Sequence, residues 1–256
     1  DDMLHNPVND QLSRIWQYMY EGVNRANYMI ENKDKIDFSR KNEMYGEVHF
    51  LRAFFYFELV KIYGDVPLFT HGRLTAGDSG TLTRVPKSEV YAVIESDLNS
   101  AISALPAEKS NDGRATSFTA HALLGKVYLY QGKYSEAANI LEPLIGLYTL
   151  PSNPGSVFLV SGENGPESVF EIQHSKESNG WNWGWLPQST EGNFGVIHHG
   201  IRGYNGPTYS SGWSFNVPTD EFHKAFKSGD KRRDASILDI VKWAEDNNAS
   251  YNEGYE

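Results

Sequence analysis

The chain has 256 residues, 39% of them hydrophobic and 22% charged, which suits one large or two modest globular domains and excludes a disordered chain. Its formal charge of −10 argues against a nucleic-acid partner, because that recognition neutralises phosphates with basic patches. Cysteine is absent, so disulfides and thiolate metal sites are excluded, and the best apolar run, Phe54 to Val60, is broken by Glu58 before it could span a membrane.

The first third reads as helix. Ile15, Met19, Val23, Ala26 and Ile30 recur at steps of three and four, which predicts a helix from about Asp10 to Asn32. A second helix is predicted with Met44, Val48, Leu51, Phe55, Leu59 and Ile62 on one face and Ser39 as its N-cap. Gly64 suits the left-handed position at its end, and Pro67 lies just beyond. After a Gly/Thr/Asp-rich loop from Thr70 to Thr83, a third helix has Pro86 in its first turn and Val90, Ile94, Leu98, Ala101 and Leu105 inward, until Pro106 stops it.

Between Gly113 and Leu150 the small and aromatic residues fall at helix-pair spacing. Leu124-Gly125, Tyr128, Gly132, Tyr134 and Ala137 reproduce the ladder of a tetratricopeptide helix pair. Gly125 lets the second helix approach, Tyr128 fills the space between helices, Gly132 turns the chain, and Ala137 is small where the helices touch. Leu141, Leu144 and Ile145 are expected to continue the buried stripe. Such pairs hide their apolar faces only by stacking on neighbours.

After Pro151 the texture changes. Gly, Pro, Ser and Asn become frequent up to Pro218, and the helical period fades. Val157 to Val160 and Val169 to Gln173 read as short strands. A last helix is predicted near 219–228, with Phe222, Ala225 and Phe226 on its apolar side. The basic cluster Lys227 to Arg233 contains Asp230 and is followed by Asp234, so it reads as a solvated or salt-bridged turn. The fold class is therefore mainly α, with tetratricopeptide-like pairs in residues 10–150 and a loop-rich half, 151–256, carrying short strands.

Several blocks, in order along nearly the whole chain, resemble the SusD/RagB family of surface glycan-binding lipoproteins. The run Phe50 to Leu68 (FLRAFFYFELVKIYGDVPL) is similar to the family's signature helix and turn almost residue for residue. Tyr20 to Asn27 is similar to its first helix. Arg84-Val85-Pro86, Glu89-Val90-Tyr91, Asp97-Leu98, Ala101 and Leu105-Pro106 follow in the family's order, and Gly113 to Thr116 leads into the helix pair. Glu167 to Gln173, Gly212-Trp213, Pro218-Thr219 and Gly229 to Asp234 resemble the later blocks. Family members usually carry a lipoprotein leader with an acylated cysteine and a long C-terminal part. By that comparison residues 1–256 are expected to be one incomplete SusD-like domain, and any membrane attachment to run through a lipid anchor outside this sequence.

Most matched residues read as scaffold. Arg52, on an otherwise apolar face, is expected to pair with a buried carboxylate. The functional candidates lie in the loop-rich half. In Trp181-Asn182-Trp183-Gly184-Trp185 an extended backbone would set three indoles in a row about 7 Å apart. Flat apolar faces suit the axial C–H groups of sugar rings, while Asn182 and the flanking Asn179, Gln188 and Glu191 suit their hydroxyls. The same indoles could instead plug an internal junction or face a protein partner. Tyr204 and Tyr209, in the loop from Gly203 to Gly212, are further ligand candidates, whereas Trp213 reads as core.

No metal or cofactor is expected. His198 and His199 are adjacent and so diverge, Glu31 to Glu43 lacks the turn glycine of a calcium loop, and no nucleotide or serine-hydrolase motif occurs. Glu163, Glu167, Glu171 and Glu191 surround the aromatic region, but glycoside hydrolysis needs two carboxylates about 5 to 9 Å apart across the bond. The resemblance implies a non-catalytic protein that captures an oligosaccharide at the outer cell surface and delivers it to a TonB-dependent, SusC-like transporter. The alternatives are a helical protein-interaction module and, last, a glycoside hydrolase.

Overall fold

The computed structural model describes residues 9–72, 74–78, 80–108, 111–174 and 194–254. They fall into two compact units: a helical unit running to Thr149 and taking in Ser168–Glu171, and a loop-rich unit of Leu150–Glu167 with the chain from Ile172 onward. The protein is mainly helical.

In the helical unit α1 (Asp10–Glu31) is capped by Asn9, whose Oδ1 accepts from the backbone N–H groups of Gln11 and Leu12 at 3.0 and 3.1 Å. Helix α2 (Lys41–Tyr63) packs on α1 and on α3 (Lys87–Ala104), and α3 packs on α4 (Ser117–Tyr130). The core is one cluster that includes Val23, Phe57, Leu59, Ile94, Leu98 and Leu124. All five inward residues expected of α3 are buried. The α2 stripe is only partly right, since Leu51 and Ile62 are each 42% exposed while Phe50, Ala53, Phe57 and Val60 are buried. A helix packed on two sides is apolar over a wide arc, so a single-stripe period selects the wrong members. Its N-cap is Arg40 in the left-handed region (φ 65°), not Ser39, and the Arg40 side chain grips Glu43 instead. Pro86 stands one residue before α3, as its N-cap rather than in its first turn.

Gly64 (φ 68°) reverses the chain after α2 into β1 (Val66–Pro67), which pairs antiparallel with β2 (Arg84–Val85). Helix α4 opens with a capping box: Thr116 Oγ1 accepts from Thr119 N, and Thr119 Oγ1 from Thr116 N, both at 3.1 Å. Gly132 (φ 73°) turns the chain into α5 (Tyr134–Leu141). A Cβ on Gly125 would lie 2.5 Å from the Leu141 side chain, and Ala137 is buried, so the expected close approach of the pair is present. The stripe ends sooner than expected. Ile145 is 81% exposed, because a Pro143-containing 3-10 turn at Glu142–Leu144 redirects the chain after α5.

Neither expected strand of the loop-rich region forms. Residues 157–160 belong to 3-10 turns at Pro154–Phe158 and Val160–Gly162, started by Asn153, which accepts from Gly155 N, and by Pro154. Residues 169–173 are irregular: Val169 offers its carbonyl to Thr119 Oγ1 at 3.3 Å, and Phe170 packs edge-on to Phe50 at 5.5 Å. An apolar run becomes a strand only with a ladder partner, and these bonds end on a helix. Among the described residues the one sheet, β1–β2, lies in the helical unit.

The loop-rich unit contains α6 (Phe194–His199) and α7 (Asp220–Ala225), the latter capped by Thr219 and matching the helix expected near 219–228. It is not the last. Helices α8 (Lys231–Ser236) and α9 (Ile240–Asn247) follow, capped by Asp230 and Asp239. The basic cluster is ion-paired: Arg232 binds Asp230 and Arg233 binds Asp234. Hydrogen bonds from the Arg232 side chain and then its backbone lower the Asp230 carboxyl to a pKa of about 2. No helix among the described residues is long and apolar enough to cross a membrane.

Candidate functional site

Arg52 is the most conspicuous polar group of the core, and its pairing is complete. Its Nε and Nη2 both reach Asp97 at 2.7 Å, and its Nη1 donates to Asn27 Oδ1 at 2.8 Å and to the Thr70 carbonyl at 3.0 Å. His49 Nδ1 completes the cluster 2.7 Å from Asp97. Asn27 Nδ2 and the Tyr56 hydroxyl both donate to the Phe69 carbonyl. Together the contacts tie α1, α2 and α3 to one another and to the chain leaving β1. The cluster is therefore a buried clamp on residues 69–70, and the expected carboxylate partner of Arg52 is Asp97.

Trp181, Asn182, Trp183 and Trp185, with Asn179, Gln188 and Glu191, lie outside the described residues. Tyr204 and Tyr209 lie within them, and the fold brings them together with a residue that sequence reasoning missed, Trp243 of α9. The Tyr204 and Tyr209 rings are 6.1 Å apart at 74°, and those of Tyr209 and Trp243 are 5.1 Å apart at 63°. Both are edge arrangements favoured by the ring quadrupole. Tyr204 is buried; its hydroxyl donates to the Pro207 carbonyl at 2.5 Å and accepts from Trp243 Nε1 at 3.0 Å. Tyr209 is 42% exposed. The sequence signal for Trp243 was present, since Asp239 caps a helix that places Ile240, Trp243 and Ala244 at helical spacing.

A second aromatic group gathers His198, Trp213 and Phe215, with ring centroids 5.2 to 6.0 Å apart. Trp213, expected in the core, is only half-buried and packs against His198 and Phe215 at the surface of this group instead. His199 Nδ1 lies 3.1 Å from the Phe215 carbonyl. Among the described residues no group of three or more His, Asp or Glu side chains is arranged to hold a metal. What the aromatic trio can do chemically is bind: it offers a braced, half-exposed ring among exposed Asn205, Ser210 and Ser211.

Comparison with known proteins places this architecture. A SusD-like family model, described as "Starch-binding associating with outer membrane", matches residues 2–129. SusD-like protein P2 of Formosa agariphila is 28% identical over 239 residues, covering 90% of this chain and 46% of that protein. A SusD-like protein of Bacteroides ovatus is 32% identical over 128 residues, 48% of this chain and 23% of the other. Among solved structures, a laminarin binding SusD-like protein is 37% identical with a TM-score of 0.83, over 94% of this chain and 56% of that one. Surface glycan-binding protein A of Bacteroides thetaiotaomicron, in complex with laminarihexaose, is 25% identical with a TM-score of 0.75, over 93% and 53%. The chain belongs to the SusD-like family. It spans about half the length of the relatives it matches.

Proposed function

We propose that this protein is a non-catalytic carbohydrate-binding protein of the outer cell surface, which hands an oligosaccharide to a TonB-dependent, SusC-like transporter. The whole chain, 1–256, is read as one incomplete SusD-like domain tethered in the complete protein by a lipid anchor. Its loop-rich half carries the ligand face: Trp181, Asn182, Trp183 and Trp185 as one aromatic row, and Tyr209, backed by Tyr204, as another element. The observation that carries the reading is the likeness, over 94% of this chain, to a laminarin binding SusD-like protein. With the laminarihexaose complex of a second neighbour, it makes a β-glucan of the laminarin type the first ligand to try.

The test is a tryptophan-fluorescence titration against soluble oligosaccharides and polysaccharides, including laminarin, repeated on a Trp181/Trp183/Trp185→Ala variant that still melts cooperatively. A saturable change with one glycan class, lost in the variant, is expected. No response from the folded parent to any glycan would reject the carbohydrate reading. A substrate cleaved on long incubation would reject the non-catalytic one. A protein-partner reading has one observation in its favour: Leu129, Tyr134 and Ile145, in and after the helix pair, are 49, 71 and 81% exposed. A null titration together with capture of the transporter would favour that reading instead.

A further inference from the structure

The backbone just before Tyr209 is strained. Thr208 has φ 72°, in the left-handed region, and Tyr209 N donates to the Pro207 carbonyl at 2.8 Å across it. This is the three-residue turn with positive φ at its centre, the rare and strained γ-turn. A β-branched residue adopts it only where the surroundings over-determine the conformation. Here they do. Trp243 Nε1 donates to Tyr204, whose hydroxyl donates to the same Pro207 carbonyl. Asn205 and Ser250 exchange both backbone hydrogen bonds at 2.8 and 2.9 Å, and Gly212 N binds the Ile201 carbonyl at 2.8 Å. Packing closes the rest, because a Cβ on Gly206 would lie 2.5 Å from Ala249, and one on Gly212 equally close to the Gly200 backbone.

A loop held this firmly still leaves Tyr209 42% exposed. Strain of this kind collects where a group must be presented in one orientation, and a pre-set ring binds without the entropic penalty of ordering it. We infer that Tyr209 is a pre-organised stacking face for a pyranose ring with equatorial hydroxyls, and that Trp243, Tyr204 and the Thr208 turn are its positioning residues. The inference rests on the carbohydrate reading above. The exposed Asn205, Ser210 and Ser211 would serve the sugar hydroxyls.

Calorimetric titration of the full chain with laminarihexaose tests it. Tyr209→Ala is expected to weaken binding about tenfold or more, as loss of a central aromatic contact does. Tyr209→Phe, which keeps the ring, is expected to stay within about twofold, so that the face and not the hydroxyl is the contact. Trp243→Phe leaves a smaller aromatic ring against Tyr209 but removes the donor to Tyr204, and is expected to weaken binding about three- to tenfold. On the unaltered chain, nitration of Tyr209 by tetranitromethane, mapped by mass spectrometry, is expected to be suppressed by saturating laminarihexaose. This measurement does not depend on a variant folding. Unchanged affinity in Tyr209→Ala, or undiminished nitration of Tyr209 in the complex, would overturn the inference and leave the carbohydrate reading standing. No binding by the unaltered chain to laminarihexaose or to any other glycan would overturn both.

Discussion

Arg52 shows what a buried charge does in this scaffold. Its side chain is 8% exposed and that of Asp97 4%, so both have lost most of their hydration. Each charge is balanced by the other and by the Asn27, His49 and Thr70 contacts around them. Arg52→Met is expected to lower unfolding stability by about 3–5 kcal/mol, because it strands the Asp97 carboxylate. Arg52→Met with Asp97→Leu is expected to cost less than the two single changes added, by about 1–3 kcal/mol. Urea denaturation of the four proteins checks both statements, and strict additivity would show that the pair acts as two independent groups. That Arg52 needs a carboxylate was readable from Val48, Phe55 and Tyr56, its largely apolar neighbours at i−4, i+3 and i+4. That Asp97 supplies it was not, because 45 residues separate the two and only the α2–α3 packing joins them.

Glu47 is the contrasting residue. Its Oε2 accepts from Arg114 at 2.7 Å, but Oε1 and Arg114 Nε are buried without hydrogen-bond partners among the described residues. Burial raises the Glu47 carboxyl above the ordinary glutamate value, and that outweighs the lowering by Arg114. A raised folded-state value favours the protonated form in the fold. The associated stability is full below the unfolded value and is lost as pH rises through the folded one. Glu47→Gln is therefore expected to flatten the fall in stability that sets in as pH rises above the ordinary glutamate value, measured as urea midpoints. An unchanged slope would contradict this.

At the scale of elements, the α4–α5 pair is where spacing alone carried furthest. The Leu124-Gly125 step, the Gly132 turn and Ala137 each have a steric cause that acts within one helix pair, so local sequence contains it. Gly125→Ala is expected to destabilise by about 1–3 kcal/mol, because the added methyl meets Leu141 at 2.5 Å. Leu141→Ala is expected to recover part of that loss in the Gly125→Ala background, by removing the clashing atoms. Thermal melts of the single and double variants check this, and independent losses would mean that α5 does not seat against Gly125. Elements that depend on distant partners were less legible. The apolar runs at 157–160 and 169–173 had strand composition but found no ladder. Helices α8 and α9, six and eight residues long, carry too few apolar positions to show a period, although Asp230 and Asp239 marked their starts.

For the molecule as a whole, family and fold were legible because many short blocks occur in the right order, most of them set by packing or capping of helices. The proposed ligand face was less so. Aromatic residues in a Gly- and Ser-rich loop pointed to Tyr204 and Tyr209, yet the fold buries the first, exposes the second and adds Trp243 from 34 residues beyond Tyr209. Whether an aromatic ring packs or presents is decided by tertiary neighbours, which spacing does not encode. A fold does not fix its ligand, so the glycan has to be measured. The most direct measurement is affinity electrophoresis of the full chain in native gels containing laminarin, starch or no polysaccharide. Retardation by one glycan, with laminarin the expected one, and its loss in the Trp181/Trp183/Trp185→Ala variant would be the result of a carbohydrate-binding protein. Equal mobility of the folded chain in every gel would contradict that function.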